Sequence, residues 1–290
     1  LVVNFPPGGA ADVIARALGP VLSEALKQPI VIDNKPGAGG NLGAGEVVRA
    51  PADGYTLLMS SGGAITINPL IYTKMGFDPE KDLASVAAVA RVLVYLEAHP
   101  SVPVNTAQEF IAYGRANPGK MSFGSPGQGS SPHLAGEMMK RQAKVDALHV
   151  PYRGAGPALT DVLSGQLQFW FDPGPGLKHV KDGKLKLLAV GSAKRSPDFP
   201  NVPTLDESGL AGFDADTLFG VYAPTGTPEA VIVRLHTEIN RALQLPAVTD
   251  AIRSLGAQPA PMSRDEFLDR HAKEKARFGG LVKELGLKLE

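Results

Sequence analysis

Short apolar runs alternate along the chain with stretches whose apolar residues recur every three or four positions. The first pattern suits buried strands and the second suits helices packed by one face. Strands are expected at Leu1–Phe5, Ile30–Ile32, Tyr55–Met59, Ser85–Arg91, Leu93–Ala98, Met121–Phe123, Val145–Val150, Gln168–Asp172, Leu185–Val190 and Leu218–Tyr222. Helices are expected at Val13–Lys27, through Val47 and Val48, at Thr106–Asn117 and Leu134–Arg141, from Pro157, and at Pro228–Leu243, Val248–Leu255 and Arg264–Leu285. In the last helix, Phe267, Leu268, His271, Phe278, Leu281, Val282 and Leu285 form a stripe that should face a core.

This alternation implies an α/β protein with parallel sheets and ligands at the carboxyl ends of strands. The strands outnumber what one compact sheet uses, so two α/β lobes with a ligand between them are expected. Two turns carry the clearest chemistry. In the first, Pro6-Pro7 stops a strand, Gly8-Gly9 turns the backbone, and Ala10 to Ala15 has the composition of a helix start. In the second, Gly124 to His133 offers many N–H groups and three hydroxyls directly before a helix. Open N–H groups and the helix dipole make each an anion cradle, although an ordinary strand-to-helix turn has the same composition. Asn34 to Asn41 is a further glycine-rich turn, but its glycine spacing fails the dinucleotide fingerprint.

Composition narrows the function classes. Twenty-nine basic and twenty-nine acidic residues are interspersed, and this balance argues against a nucleic-acid partner. No apolar run approaches the length of about eighteen residues that spans a membrane, so no membrane insertion is expected. Cysteine is absent, which excludes disulfides and thiol chemistry. The six histidines show no i, i+4 pair for a metal, and no serine has glycine at both −2 and +2. No catalytic residue, metal ligand or cofactor motif is therefore assigned. Asp172 ends a strand, where it can contact a ligand or cap the next helix, and Arg153 can pair with a carboxylate or lie in solvent. His133 is read as a helix-start residue near the second cradle.

The ordered set FPPGGAAD, NKPGAGGNLGA, ADGYTLLMSSGG, FDPEKDL, FGSPGQGSSPHLAGE, HVPYRGAGPAL and APTGTPEAVIVRL resembles the tripartite tricarboxylate transporter solute receptors, the Bug or TctC-like binding proteins. The resemblance covers essentially the whole chain. It implies a two-lobed periplasmic-binding-protein fold of type II-like form, closing as a flytrap around a cleft between the lobes. It also implies carboxylate binding through main-chain groups, hydroxyls and waters. Phe5, Gly8, Gly9, Ala10 and Asp12 match the first-lobe loop, and Ser60 and Ser61 a polar turn at the cleft edge. Ser125, Gly129, Ser130 and Ser131 match the second-lobe loop. Tyr152, Arg153, Gly154, Gly156 and Pro157 match the motif beside it, and Asp172 the acidic strand end. Ala10 stands where a hydroxyl residue is frequent, and Leu218-Phe219 replaces a common tryptophan-aromatic pair.

With the lobe crossings placed near Ala98 and Leu218, the first lobe is 1–97 with 219–290 and the second 98–218. The expected function is capture of a small organic carboxylate by a periplasmic monomer for membrane transporter subunits, with a signal peptide upstream of Leu1. A carboxylate sensor with a signalling partner would use the same cleft. A cleft hydrolase or transferase would need a nucleophile, base and orienting group, and no such set is found.

Overall fold

The structure is a computed structural model that describes residues 1–289. By its internal contacts the chain divides into two compact units, Leu1–Arg91 with Thr217–Glu290, and Val92–Asp216. The first stretch contributes β1 (Val2–Val3), α1 (Ala10–Leu26), β2 (Asp33–Asn34), α2 (Asn41–Val48), β3 (Leu58–Ser60), α3 (Asn68–Ile71), α4 (Pro79–Asp82) and β4 (Leu83–Val92). A π-helical turn, Gly63–Ile67, joins β3 to α3, where the sequence suggested only a polar turn. β2 begins later than the apolar run Ile30–Ile32 predicts. Its bonds to β1 are Leu1 N to Val31 O, Asp33 N to Leu1 O and Lys35 N to Val3 O, so the regular ladder falls on Asp33–Asn34.

The second unit holds β5 (Tyr95–Ala98), α5 (Ala107–Ala116), β6 (Met121–Ser125), α6 (Ser131–Ala143), β7 (Ala147–Pro151), α7 (Ala155–Leu163), β8 (Phe169–Asp172), α8 (Leu177–Lys181) and β9 (Lys186–Val190). Its sheet runs β7-β6-β8-β5-β9. β6 is parallel to β7 and β8, whereas β5 is antiparallel to β8 and β9. β5 thus belongs to this sheet, and the chain enters the unit before Tyr95 rather than at Ala98. Alternation along β8 sorts the two faces. Phe169 and Phe171 enter a core with Phe110, Phe123 and Phe213, while Trp170 enters a separate core under α7 with Ala158, Val162 and Leu167. Phe110 meets Phe169 edge-on at 4.9 Å.

The chain then returns to the first unit with β10 (Thr217–Pro224), α9 (Glu229–Ala242), α10 (Pro246–Ser254), β11 (Gln258–Pro259) and α11 (Arg264–Leu285). The first unit's sheet runs β11-β4-β10-β3-β1-β2. β1 is parallel to β2 and β3, but β10 is antiparallel to β3 and β11 to β4. Both sheets are therefore mixed, which corrects the expectation of parallel sheets. A fully buried apolar strand reads the same in either direction, so orientation is invisible in its composition. On α11 the buried face is Phe267, His271, Glu274, Phe278 and Val282, and Leu268 lies outside it, 51 % exposed.

Candidate functional site

In the first unit, β1 delivers the chain to the loop Asn4 to Gly9 and α1 begins at Ala10. Gly8 has φ +82°, a conformation that favours glycine, and Gly9 is the extended residue before the helix. No side chain caps α1. The N–H groups of Ala10, Ala11 and Asp12 therefore open the helix without the oxygen that a Ser or Asp at Gly9 would supply. The Asp12 carboxylate is 3 % exposed and turns back into its own loop. It accepts the Gly8 N–H at 2.9 Å, Asn34 Nδ2 at 3.0 Å, and Arg16 Nε at 3.0 Å from both oxygens. Burial opposes its charge, but the bonds from Arg16, Gly8 and Asn34 outweigh it and hold the carboxyl below its ordinary range. Asp12 shapes the loop with its side chain, and Gly8 gives its N–H to Asp12.

Ser60 is wholly buried: its hydroxyl accepts from Asn4 Nδ2 at 2.9 Å and donates to the Ser61 carbonyl at 3.1 Å. Asn4 Nδ2 also reaches the Gly40 carbonyl at 3.1 Å. Ser61 is half-buried, and its hydroxyl accepts from Ala64 N–H at 3.4 Å. This turn is thus tied to the residue preceding Phe5, and Ser60 serves as its anchor.

In the second unit, two helix starts stand side by side at the ends of β6 and β7. Tyr152 N–H donates to the Ser125 carbonyl at 3.0 Å, and Gly154 N–H to the Pro126 carbonyl at 2.9 Å. Ser130 caps α6: its hydroxyl accepts from His133 N–H at 3.4 Å and donates to the Gly127 carbonyl at 2.7 Å. Gly129 N–H donates to His133 Nδ1 at 3.1 Å, so that nitrogen carries no proton. His133 stacks on His149 at 4.0 Å, and His149 Nε2 meets the Ser125 hydroxyl at 2.7 Å. Burial, with the Lys140 charge, pushes His133 down to about 4. Burial, with His133 and Lys140, pushes His149 down to about 3, so both rings are neutral at pH 7. Ser131 lies buried in the first turn of α6. α7 starts at Ala155, after Gly154 and without a side-chain cap, with Gly156 exposed in its first turn. The Tyr152 hydroxyl is drawn to Asp161 Oδ2 at 2.5 Å, and Arg153 is exposed.

Asp172 has no exposure and accepts the Gly174 and Gly176 N–H groups, both at 2.9 Å. It caps the loop after β8, one of the two roles open to it in the sequence, and has no surface to offer a ligand. Behind it Glu97 is equally buried and accepts from Trp170 Nε1 at 2.9 Å. Burial pushes Asp172 up to about 7 against the bonds from Gly176 and Gly174, and burial with the Asp172 charge pushes Glu97 well above its ordinary range. Each of these buried carboxyls disfavours the charge of the other, so the pair resists carrying two charges.

The predicted residues therefore fall into two sets, one in each unit. Asn4, Asn34 and His149 hold them in shape, and sequence reading assigns these three no role. Asn4 announces itself only as an amide within an apolar strand. Among the described residues no group of three or more acidic or histidine side chains could hold a metal ion, and no helix is long and apolar enough to cross a membrane.

Residues 14–287 match the family model described as tripartite tricarboxylate transporter family receptor. BugT of Bordetella pertussis is 37 % identical over 292 residues, covering 100 % of this chain and 90 % of BugT. Among solved structures, Rpa4515 of R. palustris with adipate matches with TM-score 0.94 and 34 % identity, over 99 % of this chain and 97 % of the other. The periplasmic binding protein BugD matches with TM-score 0.92 and 32 % identity, over 100 % and 97 %. MatC of Rhodopseudomonas palustris with bound malate matches with TM-score 0.90 and 32 % identity, over 97 % of each chain.

Proposed function

Because the chain belongs to the tripartite tricarboxylate transporter receptor family, with its two-lobed periplasmic-binding-protein fold, we propose that it captures a small organic carboxylate and delivers it to a membrane transporter of the tripartite tricarboxylate type. The family consists of binding receptors, not enzymes. The observation that carries the proposal is the start of α1, where successive N–H groups open a helix with no side-chain cap. An anion there gains from both the N–H donors and the helix dipole, about 0.3–1 kcal/mol from the dipole when exposed and up to ~2 when partly buried.

The candidate carboxylate contacts are the N–H groups of Gly9 and Ala10 in the first unit and of Ser131 in the second, beside Phe5 and Ser61 and beside Tyr152 and Gly156 respectively; the Ser130 hydroxyl and N–H and the Gly154 N–H are already bonded to Gly127, His133 and Pro126. Asp12, Ser60, Ser125, Gly129 and Asp172 act behind this surface, because their polar groups are engaged with the chain itself. Adipate and malate, bound by two relatives, set the size and charge of the first candidates. Native mass spectrometry of freshly purified protein tests the proposal. A co-purified acid, displaced stoichiometrically by an excess of a second dicarboxylate, is the expected result. A protein whose mass and charge distribution stay unchanged by every acid of a C4–C8 panel would refute it.

A further inference from the structure

The glycine-rich stretch Asn34 to Asn41 fails the dinucleotide spacing, yet it reaches the α1 loop at two places, Gly40 at Asn4 and Asn34 at Phe5 and Asp12. β2 runs parallel to β1, with Val3 level with Asn34, so the Asn34 side chain lies beside the loop as it leaves β1. Its Nδ2 donates to the Phe5 carbonyl and to Asp12 Oδ1, both at 3.0 Å. Its Oδ1 accepts from Arg16 Nη2 at 3.0 Å. Both partners of the nitrogen can only accept and the partner of the oxygen can only donate, so the amide has one orientation. Asp12 in turn holds the Gly8 N–H at 2.9 Å. One amide thereby fixes the loop at Phe5, its second residue, and through Asp12 at Gly8, close to the helix. Pro6 and Pro7 lie between these two points.

We infer that Asn34 is a positioning residue for the anion cradle at the start of α1, acting through Phe5 and Asp12 and not by touching ligand. The inference rests on the carboxylate reading for its effect on binding, but its structural content stands apart from it. Without the Asn34 donors, the Phe5 carbonyl loses its side-chain partner and Asp12 keeps only Arg16 and Gly8, so the loop gains freedom that ligand must remove. Aspartate at this position is nearly isosteric but has no donor. It would set a second carboxylate against Asp12 and the Phe5 carbonyl, while its other oxygen still faces Arg16.

The test has two arms on the full chain. The first measures amide hydrogen exchange at Gly8 by NMR without ligand, in wild type, Asn34→Ala and Asn34→Asp. The inference predicts several-fold faster Gly8 exchange in both variants, with the strands of the same sheet as protected as before. Unchanged Gly8 exchange would overturn it, as would equal loss of protection throughout the sheet, which marks a purely structural role. The second arm titrates adipate and malate calorimetrically into the same proteins. Affinity is expected to fall about tenfold in Asn34→Ala and further in Asn34→Asp. Unchanged affinity in variants with fast Gly8 exchange would overturn the link between loop order and binding. If wild type binds neither acid, the carboxylate reading fails for these probes, and the exchange arm alone decides the role of Asn34.

Discussion

At the scale of single residues, the groups that hold the loops are Asp12, Asn34, Asn4 and Ser60, and the proposed ligand donors are N–H groups such as that of Ala10. Ala10 is the first residue of α1, a position where proline fits because its N–H has no partner in the helix. Gly9 before it is already extended, with φ −78° and ψ 168°, as a residue preceding proline must be. Ala10→Pro should therefore leave the melting temperature nearly unchanged and weaken carboxylate binding about tenfold, through loss of one donor to a charged group. Calorimetry with adipate and malate, paired with thermal melting, reads both effects; full affinity in a folded variant would place the anion elsewhere. The Glu97 and Asp172 pair yields a prediction of a different kind. Both carboxyls are raised in the folded chain, Asp172 to about 7, so between about pH 4 and 7 the folded state keeps protons that the unfolded chain releases. Their contribution to stability falls as pH rises through that window. Glu97→Gln, which can still accept from Trp170, should be more favourable relative to wild type at pH 8 than at pH 5. Denaturant midpoints at the two pH values check this, and a parallel shift at both would show that the pair holds no extra proton.

At the scale of elements, each turn owes its shape to a helix or strand packed behind it. The loop before α6 leans on two neutral imidazoles, His133 and His149, lowered to about 4 and about 3. A group depressed in the folded state stabilises fully above its unfolded value of about 6.5 and loses that contribution as pH falls toward the folded value. His133→Gln should flatten the loss of stability between pH 6.5 and 4 relative to wild type; unfolding curves across that range test it. α2 approaches the residues just after β1 and β2 so closely that a Cβ on Gly43 would lie 2.6 Å from the Lys35 carbonyl and 2.9 Å from Asn4 Cβ. Gly43→Ala should cost about 1–3 kcal/mol and disturb the Asn4 contact to Ser60. At Gly156 an added Cβ meets nothing within 4 Å, and Gly156→Ala should be neutral or slightly stabilising. Equal denaturant midpoints for the two variants would contradict this packing. Much of this level is legible in sequence, because periodicity marks α11 from Arg264 to Leu285 and caps mark helix starts. The π-helical turn Gly63–Ile67 is not, because it depends on Thr66 bonding Glu274, which lies 208 residues away. Nor is the sheet that claims β5, since Leu93 to Ala98 is buried on both faces, Glu97 included. Sequence leaves the tasks of Asp12 and Asp172 open between ligand contact and capping for a related reason: a carboxylate near a helix start reads alike whether it faces ligand or its own loop.

At the scale of the whole molecule, the chain carries two separate sheets and cores, each with an anion-attracting helix start at the end of a parallel strand. The family is one of periplasmic binding receptors, and the proposed reading has the ligand recognised through backbone dipoles. Recognition of that kind depends on the ionised carboxylate, because N–H groups and helix dipoles favour negative charge over a neutral group of the same shape. The most direct test is a calorimetric titration of protein stripped of bound ligand, comparing adipate and malate with their uncharged diamides. One-to-one binding of at least one acid, weakened at least a hundredfold or abolished in the matching diamide, is the predicted result. Equal binding of acid and diamide, or no binding of either acid, would contradict the account.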